Sequence, residues 1–234
     1  MHDTHSGLVG VLREFYGPVH RPPSPLFQFV VWELLSEHAT TGRRDLAWNA
    51  LRKIPALTPD AMFRAPVKEL TDAVALSGGS RDELVSRFRG LVDSFKRQRD
   101  TLDESRLQRV GPIAASRALR AVPQVNDEIR RRALLFSLGF ALLPVDEDTS
   151  RVICRLIEPL DLAGQARLSR RRQRRDRRKA RVWLLAREQD VDSRELLTYL
   201  QHHGRHTCLA VGPHCGVCPL APECLSRGQT GGAS

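Results

Sequence analysis

The chain has 234 residues, of which 41% are apolar and 27% charged, so it can bury a sizeable core and is not a disordered chain. No apolar run approaches the ~20 residues of a membrane span, and the first residues lack the basic-then-apolar order of a signal peptide. We therefore expect a cytoplasmic protein that makes no membrane contact, nucleoid-associated if bacterial. The excess of 37 Lys and Arg over 27 Asp and Glu favours a polyanionic partner such as nucleic acid.

Apolar residues recur with helical spacing along most of the chain. Ser24 and Pro25 predict an N-cap and a first helical position for a largely buried helix over residues 26–36. Two glycines and Ser80 predict a break and a cap before a long amphipathic helix over residues 81–98. Further helices are predicted over residues 45–53, 67–75, 113–121, 128–139, 148–157, 179–188 and 193–203. Because no strand pattern alternates, the sequence predicts an all-α fold of roughly ten helices.

Most of the excess positive charge lies in one segment. Residues 170–181 contain nine Lys or Arg side chains and a single acid, Asp176, which is a net charge of +8. Such a block is typical of a solvated helix face or a flexible segment. It is also suited to phosphate contact, in which case binding would weaken as salt rises.

Four of the five cysteines lie within the last 27 residues, with the spacing C-x6-C-x2-C-x5-C. They are Cys208, Cys215, Cys218 and Cys224. Prolines and glycines between them bend the backbone so that four sulfurs can converge on one centre. Without an export signal the thiols are expected to stay reduced, so disulfides are disfavoured. The spacing alone indicates zinc or an iron–sulfur cluster and leaves both open.

The cysteine loop and three other segments point to one family. Residues 203–208 read HGRHTC and, with the cysteine spacing, resemble the C-terminal iron–sulfur loop of endonuclease III and the related adenine glycosylases. Residues 121–126 (AVPQVN) resemble the hairpin of a helix-hairpin-helix motif, and residues 144–152 (PVDEDTSRV) resemble the segment with the superfamily's catalytic aspartate. Residues 34–40 (LLSEHAT) resemble the helix end whose residue fills the gap left by a flipped base.

The resemblance implies a role for individual residues. The four cysteines would hold a structural [4Fe-4S] cluster, with zinc as the less favoured alternative. Asp146 would be the catalytic aspartate, which stabilises the oxocarbenium-like sugar or activates its nucleophile. His38 would be the gap-filling residue. The backbone of the hairpin, which contains Gln124, Val125 and Asn126, would bind phosphate at a helix N-terminus.

The resemblance also implies a two-lobed all-α helix-hairpin-helix DNA glycosylase fold. A central helical barrel domain would cover residues 39–145, with the helix-hairpin-helix motif at about residues 113–139. Residues 1–38 and 146–228 would form the cluster-bearing lobe, and residues 229–234 a disordered tail. The expected partner is double-stranded DNA, damaged or mismatched, bound by a monomer that rotates a nucleotide out of the duplex.

Two features depart from the family pattern. Bifunctional members use a lysine as a Schiff-base nucleophile, and counting back from Asp146 places Glu128 there, so no efficient AP-lyase activity is expected. Family members place glycines where this chain has Gln124 and Asn126; asparagine tolerates the left-handed conformation better than glutamine does. These changes, and the acids that follow, predict a weakened phosphate grip at the hairpin. Replacement phosphate contacts are predicted from the basic block, at Arg170, Arg171, Arg172, Arg174 and Arg175.

Two functions follow from these observations. The first is a monofunctional DNA glycosylase that hydrolyses the N-glycosidic bond of a damaged or mismatched base with Asp146. The alternative is a catalytically impaired or inactive endonuclease III-like DNA-binding protein. Asp146 and Glu128 also have structural interpretations. Asp146 can cap the helix that follows it, and Glu128 can stabilise a helix N-terminus.

Overall fold

The computed structural model describes residues 4–37, 39–54, 57–78, 80–140, 142–160, 170–186 and 191–227. Within these ranges every regular element is helical, which confirms the all-α prediction. The α-helices are α1 (Thr4–Tyr16), α2 (Leu26–Ser36), α3 (Thr41–Leu51), α4 (Pro59–Arg64), α5 (Val67–Ala75), α6 (Arg81–Arg97), α7 (Glu104–Arg120), α8 (Asp127–Phe136), α9 (Glu147–Ile157), α10 (Arg170–Leu185) and α11 (Ser193–His206). Two 3₁₀ turns follow, Cys215–Val217 and Ala221–Glu223. Across the described ranges, no helix has the length and apolar character that a membrane span requires.

Residues 22–144 form one of two compact units. Its central element is α2, which packs against α3, α6 and α8 and buries eight of its eleven side chains. Aromatic pairs join α2 to these neighbours: Phe27 with Phe95, Phe29 with Phe136, and Trp32 with Trp48. Each fully buried Phe or Leu contributes roughly 1.5–3 kcal/mol, so α2 anchors the core of this unit.

The start of α2 differs from the prediction. Pro25, rather than Ser24, occupies the N-cap position and provides no side-chain hydrogen bond. The Glu104 carboxylate accepts the free N–H of Leu26 instead, at 2.7 Å. A residue distant in sequence therefore satisfies the orphan donor that a local serine was expected to satisfy.

Helix α7 is interrupted near its middle and leads into the hairpin. Gly111 has φ 82° and ψ 170°, a conformation in which glycine is favoured, and Pro112 then begins the second half of the helix. The predicted helix over residues 113–121 corresponds to this second half. The α7–α8 pair with residues 121–126 between them thus forms a helix-hairpin-helix.

Residues 1–21 and 145–234 make up the second unit. Helix α9 is its centre, because it packs against both α10 and α11, and α1 packs against α11. The predicted lobes placed the boundary after residue 38, whereas α2 here belongs with residues 22–144 because its contacts are with α3, α6 and α8. The predicted tail at residues 229–234 lies outside the described residues.

Candidate functional site

Asp146 is the N-cap of α9 and is only 6% exposed. Its Oδ1 atom accepts the backbone N–H of Thr149 at 2.7 Å. Its Oδ2 atom accepts the side-chain amide of Gln201, from α11, also at 2.7 Å. The carboxylate is therefore held in one orientation by two helices, with the positive end of the α9 dipole beside it. The capping interpretation of Asp146 is confirmed, and capping leaves each oxygen room for one more donor.

The HGRHTC segment brings the end of α11 against the start of α9. A side chain at Gly204 would place its Cβ 2.8 Å from Asp148 Cβ and 3.1 Å from the Asp148 backbone oxygen, so only glycine fits there. Arg205 donates to Asp148 at 3.1 Å, and Arg151 donates to Asp148 and to the Gly204 carbonyl, both at 2.7 Å. This contact positions the cysteine loop, which begins at Cys208.

The four predicted cysteine ligands line one pocket with about 340 Å³ of open space. All four are free thiols, and none is more than partly exposed. The 3₁₀ turns at Cys215–Val217 and Ala221–Glu223 bend the chain so that Cys215, Cys218 and Cys224 reach this pocket together with Cys208. Burial raises the pKa of the Cys218 thiol to about 11 and also raises the pKa of Cys224. Thiolates at these positions would therefore need a positive charge in the pocket to stabilise them.

A buried arginine supports the loop between the first two cysteines. Arg155, on α9, is 2% exposed. Its guanidinium donates to the carbonyls of Leu209 (2.7 Å) and Ala210 (3.2 Å) and to the Cys208 sulfur (3.3 Å). Sequence reasoning missed this residue, although an arginine among the apolar residues in the second half of α9 was a visible signal.

His203 and Tyr16 complete the wall beside the cysteines. Tyr16 Oη lies 2.8 Å from His203 Nδ1, and His203 Nε2 lies 3.6 Å from the Cys218 sulfur. Burial, and secondarily the neighbouring His202, lowers the pKa of His203 to about 4. The ring is therefore neutral near pH 7, with one donor and one acceptor nitrogen for these two contacts.

In the other unit, the hairpin uses its own groups to satisfy its backbone donors. Asn126 is the N-cap of α8, and its Oδ1 accepts the N–H groups of both Glu128 and Ile129 at 2.9 Å. The N–H of Val125 donates to the carbonyl of Val122 at 3.0 Å. Asn126 has φ −68°, and across the described ranges no residue other than glycine has a positive φ. The expected left-handed strain is therefore absent, because the hairpin follows a course that needs no glycine.

Acidic side chains and the arginines that pair with them lie beside this hairpin. The Asn126 amide donates to Glu37 at 3.0 Å, and Arg87 pairs with the same carboxylate at 2.6 Å. Glu128 lies exposed in the first turn of α8 beside Asp127. Hydrogen bonding to Arg130, and secondarily its charge, lowers the pKa of Asp127, so that acid is ionised near neutral pH. Glu37 was not predicted, since its contact with the hairpin spans 89 residues.

The Gln124 side chain packs on α6. A Cβ at Gly90 would lie 2.5 Å from its Nε2 atom, so glycine at position 90 provides the space. His38 lies outside the described residues, and for Arg170, the first residue of α10, only the backbone is described.

Helix α10 presents two different faces. Asp176, Ala180 and Leu184 are buried, on the side that packs against α9. Arg172 and Arg175 lean towards Asp176, at 3.9 and 3.7 Å. Two further predicted members, Arg171 and Arg174, are exposed. The basic block is therefore an ordered helix with a solvated outer face.

No family model matches the chain, and no curated protein sequence does. Solved structures match over nearly its whole length. A trapped endonuclease III–DNA covalent intermediate is 17% identical, with a TM-score of 0.60 over 97% of each chain. A thermostable thymine-DNA glycosylase is 14% identical, with a TM-score of 0.63 over 96% of each chain. A DNA-3-methyladenine glycosidase from Bacillus halodurans is 15% identical, with a TM-score of 0.52 over 87% of this chain and 88% of that one.

These matches define the fold as that of the helix-hairpin-helix DNA glycosylases. The resemblance to the endonuclease III family, which the cysteine loop and the hairpin indicated, is confirmed at the level of the fold.

Proposed function

We propose that the protein is a base-excision repair glycosylase that flips a damaged or mismatched base out of duplex DNA and hydrolyses its N-glycosidic bond. The observation that carries this proposal is the buried Asp146 carboxylate, fixed at the start of α9 in a fold shared with DNA glycosylases. The enzyme would act as a monomer in the cytoplasm.

Asp146 supplies the charge that base removal needs. The sugar develops positive charge as the base leaves, and a fixed carboxylate in a dehydrated site stabilises that charge more strongly than one in water. Each oxygen of Asp146 accepts one protein N–H, so lone pairs remain to orient a water molecule for attack. Gln201 acts as a positioning residue, because it holds Oδ2.

The proposed reaction stops at base removal. Glu128 stands where bifunctional relatives use an amine, and a carboxylate cannot form a Schiff base. The neighbouring Arg130 and Arg132 cannot take over, since a guanidinium stays protonated. Water is then the nucleophile, and an intact abasic strand is the product.

We infer that Cys208, Cys215, Cys218 and Cys224 hold a [4Fe-4S] cluster. Four thiol side chains line one pocket, and such a donor set suits either an iron–sulfur cluster or zinc. The resemblance of the cysteine loop to that of endonuclease III favours the cluster over zinc. The cluster would be structural and would offset the burial of the thiolates.

The test is incubation of cluster-loaded protein with duplexes that carry uracil, oxidised pyrimidines, alkylated purines, mismatches or abasic sites. Each sample is divided between direct loading and alkaline work-up. Strand breaks seen only after alkali, and lost in Asp146→Asn, are the expected result. Asp103→Asn, at the N-cap of α7, is the matched control, because it makes the same substitution at another cap.

A second function is DNA binding without excision. The hairpin favours it over catalysis, because the N–H groups of Glu128 and Ile129 are already bonded to Asn126 and the family's phosphate grip at the hairpin is thereby weakened. Measurable duplex binding without product on any duplex would support this alternative and contradict the glycosylase proposal.

A further inference from the structure

The outer face of α10 carries a row of arginines that differs from the set predicted from the sequence. Arg171, Arg174, Arg178 and Arg181 are exposed and recur at helical spacing on the side opposite Asp176. At 1.5 Å per residue the row is about 15 Å long. Within the described part of the chain, no ion pair engages these four guanidinium groups.

Among the described residues, the acids that pair with α10 lie away from that row. Asp176 is buried against α9, where it takes the weak contacts of Arg172 and Arg175. Lys179 pairs with Glu158 at the end of α9. Because the acidic side chains neutralise only the inner and flanking cations, the outer row keeps its full positive charge.

The hairpin is less open to phosphate. A phosphate oxygen at the start of α8 would need the N–H groups of Glu128 and Ile129, and Asn126 already accepts both. It would also lie near Asp127 and Glu128, of which Asp127 is paired with Arg130. The capped start of α8 therefore offers neither of these N–H groups to an anion, whereas an uncapped helix N-terminus would.

We propose that the outer row of α10, formed by Arg171, Arg174, Arg178 and Arg181, is the principal phosphate-binding surface for duplex DNA in this protein, in place of the hairpin. The proposal rests on the proposed function for its choice of ligand. It changes the set of arginines predicted from the sequence, because Arg172 and Arg175 lean towards Asp176 while Arg178 and Arg181 join the exposed row.

The row makes a quantitative prediction about salt. Four phosphate contacts release counterions, so they contribute about 3 to 4 to the negative slope of log affinity against log salt. Between about 50 and 200 mM salt, this amounts to roughly a hundredfold loss of affinity. A hairpin grip would contribute little to such a slope, because neutral N–H groups displace fewer counterions.

The experiment measures binding of full-length, cluster-loaded protein to an undamaged duplex by fluorescence anisotropy over a salt series. The test variant changes Arg171, Arg174, Arg178 and Arg181 to Gln, which keeps helix propensity and leaves the buried face untouched. A second variant makes the same four positions Lys. A matched control changes four exposed arginines of the other unit to Gln: Arg52, Arg64, Arg97 and Arg99. Circular dichroism checks that all variants retain helix content.

We expect the Gln variant of the row to bind at least tenfold more weakly and to lose about 3 from the slope, while the Lys variant keeps most of the slope. The control should change the slope by less than about 1. Equal losses in the row and the control would overturn the proposal, because net charge alone would explain them. Unchanged affinity in the Gln variant would also overturn it. Base excision is assayed separately on lesion duplexes, and it tests the proposed function whatever the outcome of the binding measurements.

Discussion

Replacing Asp146 by alanine separates its structural role from any chemical one. The variant removes the α9 cap, which costs roughly 1 kcal/mol. It also leaves the Gln201 amide, on a side chain 6% exposed, without its acceptor, which costs about 1–3 kcal/mol. Asp146→Ala should therefore destabilise the protein by about 2–4 kcal/mol.

Asp146→Asn should cost much less. Asparagine is as good an N-cap as aspartate, so its oxygen can still accept the Thr149 N–H. Its amide would then face Gln201, whose side chain can rotate to present its own oxygen. The remaining loss is that of a charge near the helix dipole, roughly 0.3–1 kcal/mol.

Thermal unfolding followed by circular dichroism measures the difference between the two variants. The two variants should differ by about 1–4 kcal/mol, and 1 kcal/mol corresponds to roughly 2–4 °C in a chain of this size, so Asp146→Ala should melt about 2–15 °C below Asp146→Asn. Asp103→Ala, which removes an exposed cap with one bond, calibrates the capping loss alone. If Asp146→Ala lost no more than Asp103→Ala, or no more than Asp146→Asn, the assignment of the Gln201 contact would be refuted.

Three further predictions test other parts of the site. Arg155→Met should lower the iron retained after gel filtration by at least about half, because three loop acceptors lose their buried donor; wild-type iron content would contradict this. Borohydride added during reaction with lesion duplexes should trap no covalent complex, because Glu128 has no amine; a trapped band on denaturing gels would identify another nucleophile. Gly204→Ala should destabilise by about 1–3 kcal/mol because its Cβ meets Asp148 at 2.8 Å, whereas Gly10→Ala, with nothing within 4 Å, should stabilise by up to about 1 kcal/mol. Equal melting temperatures for the two alanine variants would contradict this prediction, because they would show that α9 and α11 can move apart to accommodate the added Cβ.

Local patterns predicted the parts of the fold that depend on local chemistry. The bounds of α2 and α5 match the prediction because their apolar spacing and flanking prolines act over a few residues. Helix α10 was predicted only from residue 179 onward, because its buried stripe contains an acid, an alanine and one leucine among many arginines. The helices α1 and α4 were not predicted.

The site divides in the same way. The four cysteines and the Asp146 cap could be found from spacing, since their partners lie close in sequence. Gln201, 55 residues from Asp146, and Glu37, 89 residues from Asn126, could not, because only the packing of separate helices brings them into contact. The interpretation of the hairpin changed most. The missing glycines predicted a weakened phosphate grip, but they gave no sign that the Asn126 side chain accepts the N–H groups of Glu128 and Ile129.

Mass-spectrometric detection of free base released from the lesion duplexes by cluster-loaded protein tests base excision and the role of Asp146 together. At least one lesion should yield a free base with the wild type, and Asp146→Asn should release it at least about 100-fold more slowly while melting close to the wild type. Release at equal rates by both proteins would contradict the role of Asp146. No free base from any duplex that the protein demonstrably binds would contradict the glycosylase assignment.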